Sequence, residues 1–225
     1  MDTSKMSTVF DKKRAFLKGP DLFKRFTICE LPIPLDQASL PDHTELLAFD
    51  FQENRYGLLV REMAYHHVAQ GVVNDEPFMI SFCGICHSGI GFSPLVDGKE
   101  HHFSAGGLPF GNVFGRFHGR LIESKGFLPP GFKLTMGKTD RRLPSMTQGL
   151  GVVVEERARF YPKEELTRRI EDGIGAYDLI VSVDPVDNVP YAETIGGDRP
   201  FQLFSRWYGF SYSFPGCEIF GDEKS

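Results

Sequence analysis

Two short apolar runs constrain this chain more than any other feature of its sequence. Phe78-Met79-Ile80-Ser81-Phe82 and Leu179-Ile180-Val181-Ser182-Val183 are too brief for helices with their own core face. They suit strands buried in a sheet. A similar pattern precedes each. Residues 46–51, a polar turn at Gln52-Glu53-Asn54 and residues 55–59 read as strand, turn and strand. So do residues 151–162, with their polar turn at Glu155-Glu156. A helical stretch then follows in both places, 60–70 in the first and the charged segment 163–170 in the second. The predicted fold class is α+β: mostly antiparallel strands with short helices, arranged as two pseudo-repeated β-β-α-β halves.

The halves span about 46–115 and 149–220, within one α+β domain over 46–225. Residues 1–45 hold Pro20, Pro32, Pro34 and Pro41 and no sustained helical period, so they read as an irregular lead-in. Residues 90–92, the turn Asp97-Gly98 and residues 101–104 read as a hairpin. The aromatic run Trp207 to Phe214 is expected to pack on the core. The 15 Pro and 24 Gly fit a chain of many turns, and 21 Phe beside one Trp predict an aromatic core.

A chain of 225 residues, 41% hydrophobic and 24% charged, has an ordinary globular composition. Its net charge of −5 gives no electrostatic reason to bind nucleic acid or an anionic membrane. No stretch is apolar for long enough to span a bilayer. Residues 1–18 lack the apolar segment of a secretory signal, so a cytoplasmic location is expected.

Four cysteines in a chain of this size do not make a disulfide scaffold. Cys83-Gly84-Ile85-Cys86-His87 stands out because a buried strand delivers the chain directly into it. Cys-x-x-Cys spacing on one turn lets both sulfurs face one point, a natural hook for a soft or borderline metal. Further ligands could come from His66, His67, His87, His101 or His102. The same pair suits thiol–disulfide chemistry, although Ser88 to Pro94 make a poor helix where the thioredoxin pattern wants one. Cys-x-x-Cys-His also matches the c-type haem attachment pattern, which requires export. Cys86 after a strand loosely resembles a hydrolase elbow, without the final Gly. A pair of small buried hydrophobes is the remaining alternative, and Cys29 and Cys217 are assigned that role.

Residues 104–112 form a Gly-rich loop that matches neither the P-loop nor the dinucleotide fingerprint. It reads as a turn where backbone passes close to something, such as the Cys site. Arg116, His118 and Arg120 could hold an anion or simply form a solvated face.

Several motifs together, in order, resemble the domain-of-unknown-function family numbered 3179. They are Tyr65-His66, Val73-Asn74-Asp75, Cys83-Gly84-Ile85-Cys86-His87-Ser88-Gly89, Val96-Asp97-Gly98 and Phe103-Ser104-Ala105-Gly106. In the second half come Gly151-Val152-Val153-Val154, Ala158-Arg159-Phe160-Tyr161-Pro162 and the segment from Trp207 to Glu218. Gly84 replaces the family's Pro, and His87 takes a position that is usually small or an amide. The resemblance implies that His66 joins Cys83 and Cys86 in a three-ligand site with an open position, which His87 could fill. The expectation is a metal-binding protein holding copper, zinc or iron, with an oxidation of a small-molecule substrate if it is an enzyme. A metal-free thiol–disulfide oxidoreductase and a binding module with a structural Cys pair are the rivals.

Overall fold

Short strands dominate the computed structural model, which describes residues 26–28, 32–103 and 139–222. Most pairings are antiparallel, and among the described residues two seven-residue α-helices and two 3-10 turns accompany the strands, in keeping with an α+β class. The described residues belong to two compact units, one holding 26–28 and 32–103 and the other 139–222. Among them no helix is long and apolar enough to cross a membrane.

In the first unit, β1 (Phe26–Ile28) lies parallel to β4, the strand introduced below. The segment read from sequence as irregular thus contributes a strand. Strands β2 (Leu46–Phe51) and β3 (Asn54–Leu59) form the expected hairpin, paired from Leu46↔Leu59 to Phe51↔Asn54. Helix α1 (Val60–His66) follows directly. It stops four residues short of the predicted end, because His67 turns into the left-handed region at φ 62°. The chain then re-enters the sheet as β4 (Val68–Val73). Asn74 and Asp75, both at positive φ, make the tight turn to β5 (Glu76–Cys83). Strand β6 (Ser88–Phe92) completes a sheet of order β1-β4-β5-β6.

A separate small hairpin, β7 (Leu95–Val96) with β8 (Lys99–Glu100), closes around Asp97-Gly98. The turn is where the sequence places it, but the hairpin strands are 95–96 and 99–100: residues 90–92 pair with β5 instead, and 101–103 lie in no strand. The core packs Val60, Met63 and Ala64 of α1 against Ala69, Phe78, Ile80 and Phe82. The Phe78 ring lies 5.5 Å from Phe49 and 5.3 Å from Phe51.

The second unit starts from β9 (Gln148–Val154) and β10 (Arg157–Pro162). Only a 3-10 turn, Lys163–Glu165, stands where a helix over 163–170 was expected. Leu166 alone is buried there, so the charged segment has no apolar stripe to hold a longer helix. Strands β11 (Ile170–Ile174), β12 (Tyr177–Val183) and β13 (Pro190–Thr194) form an antiparallel sheet. Strand β14 (Phe201–Arg206) pairs with β9, and β15 (Glu218–Ile219) lies parallel to β10. Helix α2 (Trp207–Ser213) carries the aromatic run.

Strand β9 is buried on both faces, which explains its near-continuous apolar sequence. One face gives Leu150, Val152 and Val154 to a cluster with Leu179 and Val181. The other gives Val153 to a cluster with Phe160, Trp207 and Phe210. At Gly151 the Phe210 ring of α2 packs directly on the backbone, and a Cβ there would collide with it.

Candidate functional site

Period-two alternation decides how β5 presents its last residue. Phe78, Ile80 and Phe82 enter the core, so Cys83 falls on the opposite face with Ser81. Cys83↔Ser88 is the final pair of the β5–β6 ladder, and residues 84–87 close the turn. Gly84 is buried inside it, and His87 adopts φ 52° to bring the chain back. Cys83 and Cys86 are not joined in a disulfide, and each is half-buried.

Their sulfurs lie 2.7 Å apart, and the backbone N–H of Cys86 donates to Cys83 Sγ at 3.2 Å. Two thiolates held about 2.3 Å from a shared tetrahedral ion keep their sulfurs roughly 3.7 Å apart. A disulfide bond measures about 2.05 Å. The pair therefore sits inside the bite of a metal and close to bonding distance. Strand β6, not a helix, follows the pair, so the thioredoxin and hydrolase-elbow arrangements are both missing.

The predicted histidine ligands stand in other settings. His66 ends α1, its ring stacked on Phe26 and edge-on to Tyr65, each at 4.8 Å. His87 places Nε2 3.4 Å from Glu45 Oε2, with its ring edge towards Phe82. His101 and His102 are exposed. Among the described residues no group of three or more His, Cys, Asp or Glu side chains comes together to hold a metal ion. The structure thus brings Cys83 and Cys86 together and gathers neither His66 nor His87 with them into a ligand cluster. Cys29, the Gly-rich loop 104–112 and the basic residues Arg116, His118 and Arg120 lie outside the described residues.

His67, offered by the sequence only as one possible ligand among five histidines, has a different partner. Its Nδ1 lies 3.1 Å from the carbonyl oxygen of Phe82, the residue before Cys83. A carbonyl only accepts, so Nδ1 carries the proton in the neutral ring. Burial lowers the His67 pKa below its ordinary value. The Phe82 hydrogen bond opposes this, and the charge of His66 adds to it.

Among its described residues the second unit holds a dense polar cluster around Arg159. Arg159 donates to Glu218 through Nε at 2.8 Å, and to Asp172 and the Gly173 carbonyl through Nη1. Tyr161 donates its hydroxyl to the same Asp172 oxygen at 2.7 Å. Burial and the Asp172 carboxylate both push the Tyr161 pKa far up. Arg159 spends its donors on carboxylates and backbone from β11 and β15, so the cluster ties strands together. Cys217 is buried, and that burial pushes its thiol up to about 12 against the pull of Arg142. No family model, no curated protein and no solved structure matches the chain.

Proposed function

We propose that Cys83 and Cys86 are a redox-active dithiol, and that the chain is a metal-free thiol–disulfide oxidoreductase. The sulfur separation of 2.7 Å carries this reading. Cys83 is the attacking sulfur, because a thiolate accepts the Cys86 N–H more strongly than a thiol does. In the first step the Cys83 thiolate attacks a disulfide R–S–S–R, of a small molecule such as oxidised glutathione. A Cys83–S–S–R bond forms and one R–S⁻ leaves. The Cys86 thiolate then attacks Cys83 Sγ and expels the second R–S⁻. Two electrons pass from the dithiol to the substrate, and the two protons of the cysteines end on two R–SH. In a reducing cytoplasm the resting state is the dithiol. The order of motifs supports placing the chain as a divergent member of family 3179. The recurring hairpin, short helical turn and three-stranded meander support reading it as a duplicated unit whose first copy alone carries the dithiol.

Reduced protein mixed with oxidised glutathione tests the reading by peptide mapping. Wild type should close Cys83–Cys86, and Cys86→Ser should stall as a glutathione adduct on Cys83. Two free thiols in wild type after equilibration would overturn it.

A second reading is a transition-metal hook for copper, zinc or iron on Cys83 and Cys86, completed by His66 and His87. The backbone N–H on Cys83 Sγ favours it, since ligating thiolates are held by such second contacts. Stoichiometric metal in protein purified without chelator, lost in Cys83→Ser, would decide for it.

A further inference from the structure

We infer that His67 is a positioning residue for the dithiol; the inference rests on the redox reading above. The argument is one of backbone accounting. Val68↔Ser81 is the last full pair between β4 and β5. The next pair, His67 with Phe82, would exchange two backbone hydrogen bonds, each N–H to the other's carbonyl. One of them forms: the Phe82 N–H donates to the His67 carbonyl at 2.7 Å. The other cannot, because the His67 N–H already caps α1 by donating to the Met63 carbonyl at 2.7 Å. The imidazole fills the gap, with Nδ1–H donating to the Phe82 carbonyl at 3.1 Å.

Phe82 is thus clamped on both its backbone groups, one residue beyond the end of β4. Its side chain is buried in the core and 4% exposed. Cys83 is the next residue, so this clamp fixes the direction in which the strand delivers its sulfur to Cys86. A side chain at position 67 must meet two demands together. It must tolerate positive φ, which His and Asn do better than most residues, and it must carry a donor for the Phe82 carbonyl. Glycine meets only the first.

The test compares wild type, His67→Gly and His67→Asn in glutathione redox buffers, reading the effective concentration of the Cys83–Cys86 pair. His67→Gly keeps the backbone turn and the helix cap and removes only the imidazole. It should lower the effective concentration roughly three- to ten-fold, as expected for the loss of one hydrogen bond. His67→Asn should stay within about two-fold of wild type. In the unmutated protein, the His67 Nδ1–H resonance should shift between the dithiol and disulfide forms, which needs no folded variant. An unchanged effective concentration in His67→Gly, or an unmoved resonance, overturns the role of His67 and leaves the dithiol standing. A wild type that never closes the disulfide overturns the dithiol itself.

Discussion

The two units meet the same backbone problem with different chemistry. In each, a side chain where the middle strand of an antiparallel meander meets its turn accepts backbone N–H from residues just beyond it. In the second unit that side chain is Asp184. Its Oδ1 accepts from Val186 at 2.8 Å and Asp187 at 3.5 Å, while the Asp184 N–H and carbonyl bond to Val189 and Asn188. In the first unit it is Cys83, whose sulfur accepts from Cys86 three residues on. A carboxylate makes a strong, charge-assisted acceptor, whereas a thiol sulfur is a weak one. As a turn cap, Cys83 is the poorer choice. What sulfur adds is a second sulfur within bonding reach, and that is chemistry Asp184 cannot perform.

Removing the second sulfur tests the contrast most severely. Cys86→Ser should abolish closure of the disulfide, while Asp184→Ala should leave closure untouched; thiol mapping after oxidation reads both. The buried cysteine of the second unit should behave oppositely to the pair. With its pKa pushed up to about 12, Cys217 is almost wholly protonated at pH 8. Its alkylation there should be roughly a thousand-fold slower in folded than in unfolded protein, followed by mass spectrometry against urea. Equal rates would mean that the second unit does not shelter this thiol.

Stability effects are smaller and should divide by unit. Gly151→Ala must displace the Phe210 ring and should cost about 3 kcal/mol, the range of an overpacked core. Urea unfolding would show the loss, and the equilibrium of Cys83 with Cys86 should not follow it. The smallest effect is at the carboxylate turn. Asp184→Ala removes the acceptor for its exposed N–H groups and should cost about 1 kcal/mol. A loss no larger than that of a neutral surface change would erase the asymmetry between the two turns.

How much of this could be read in the sequence depends on how local the cause is. The hairpin over 46–59 was legible because its strands and turn are adjacent and alternate. So was the central strand ending at Cys83, whose apolar run is continuous. Strand β4 was not. Val68-Ala69-Gln70-Gly71-Val72-Val73 includes a Gly and a buried Gln. The Gln70 amide bonds the His101 carbonyl and the Phe103 N–H, partners more than thirty residues away. Strand β1 was hidden for a similar reason: three residues pair in parallel with β4, across a long stretch of chain. At the site, the Cys pair was visible from spacing alone. His67 was visible only as one possible ligand among five; its bond to Phe82 was not, because it follows from a helix cap that consumes its own N–H, a fact of tertiary geometry. The Arg159–Asp172–Glu218 cluster likewise joins residues scattered over three strands.

The central claim is that the two sulfurs of the first turn bond to each other. It is tested most directly by equilibrating the wild-type protein across a series of glutathione redox buffers and weighing the Cys83–Cys86 peptide, with the metal content of the same sample measured alongside. A reversible disulfide between these two residues, in protein free of stoichiometric metal, is the predicted result. Two thiols that resist oxidation across the series, or a stoichiometric copper, zinc or iron ion that keeps them apart, would contradict it.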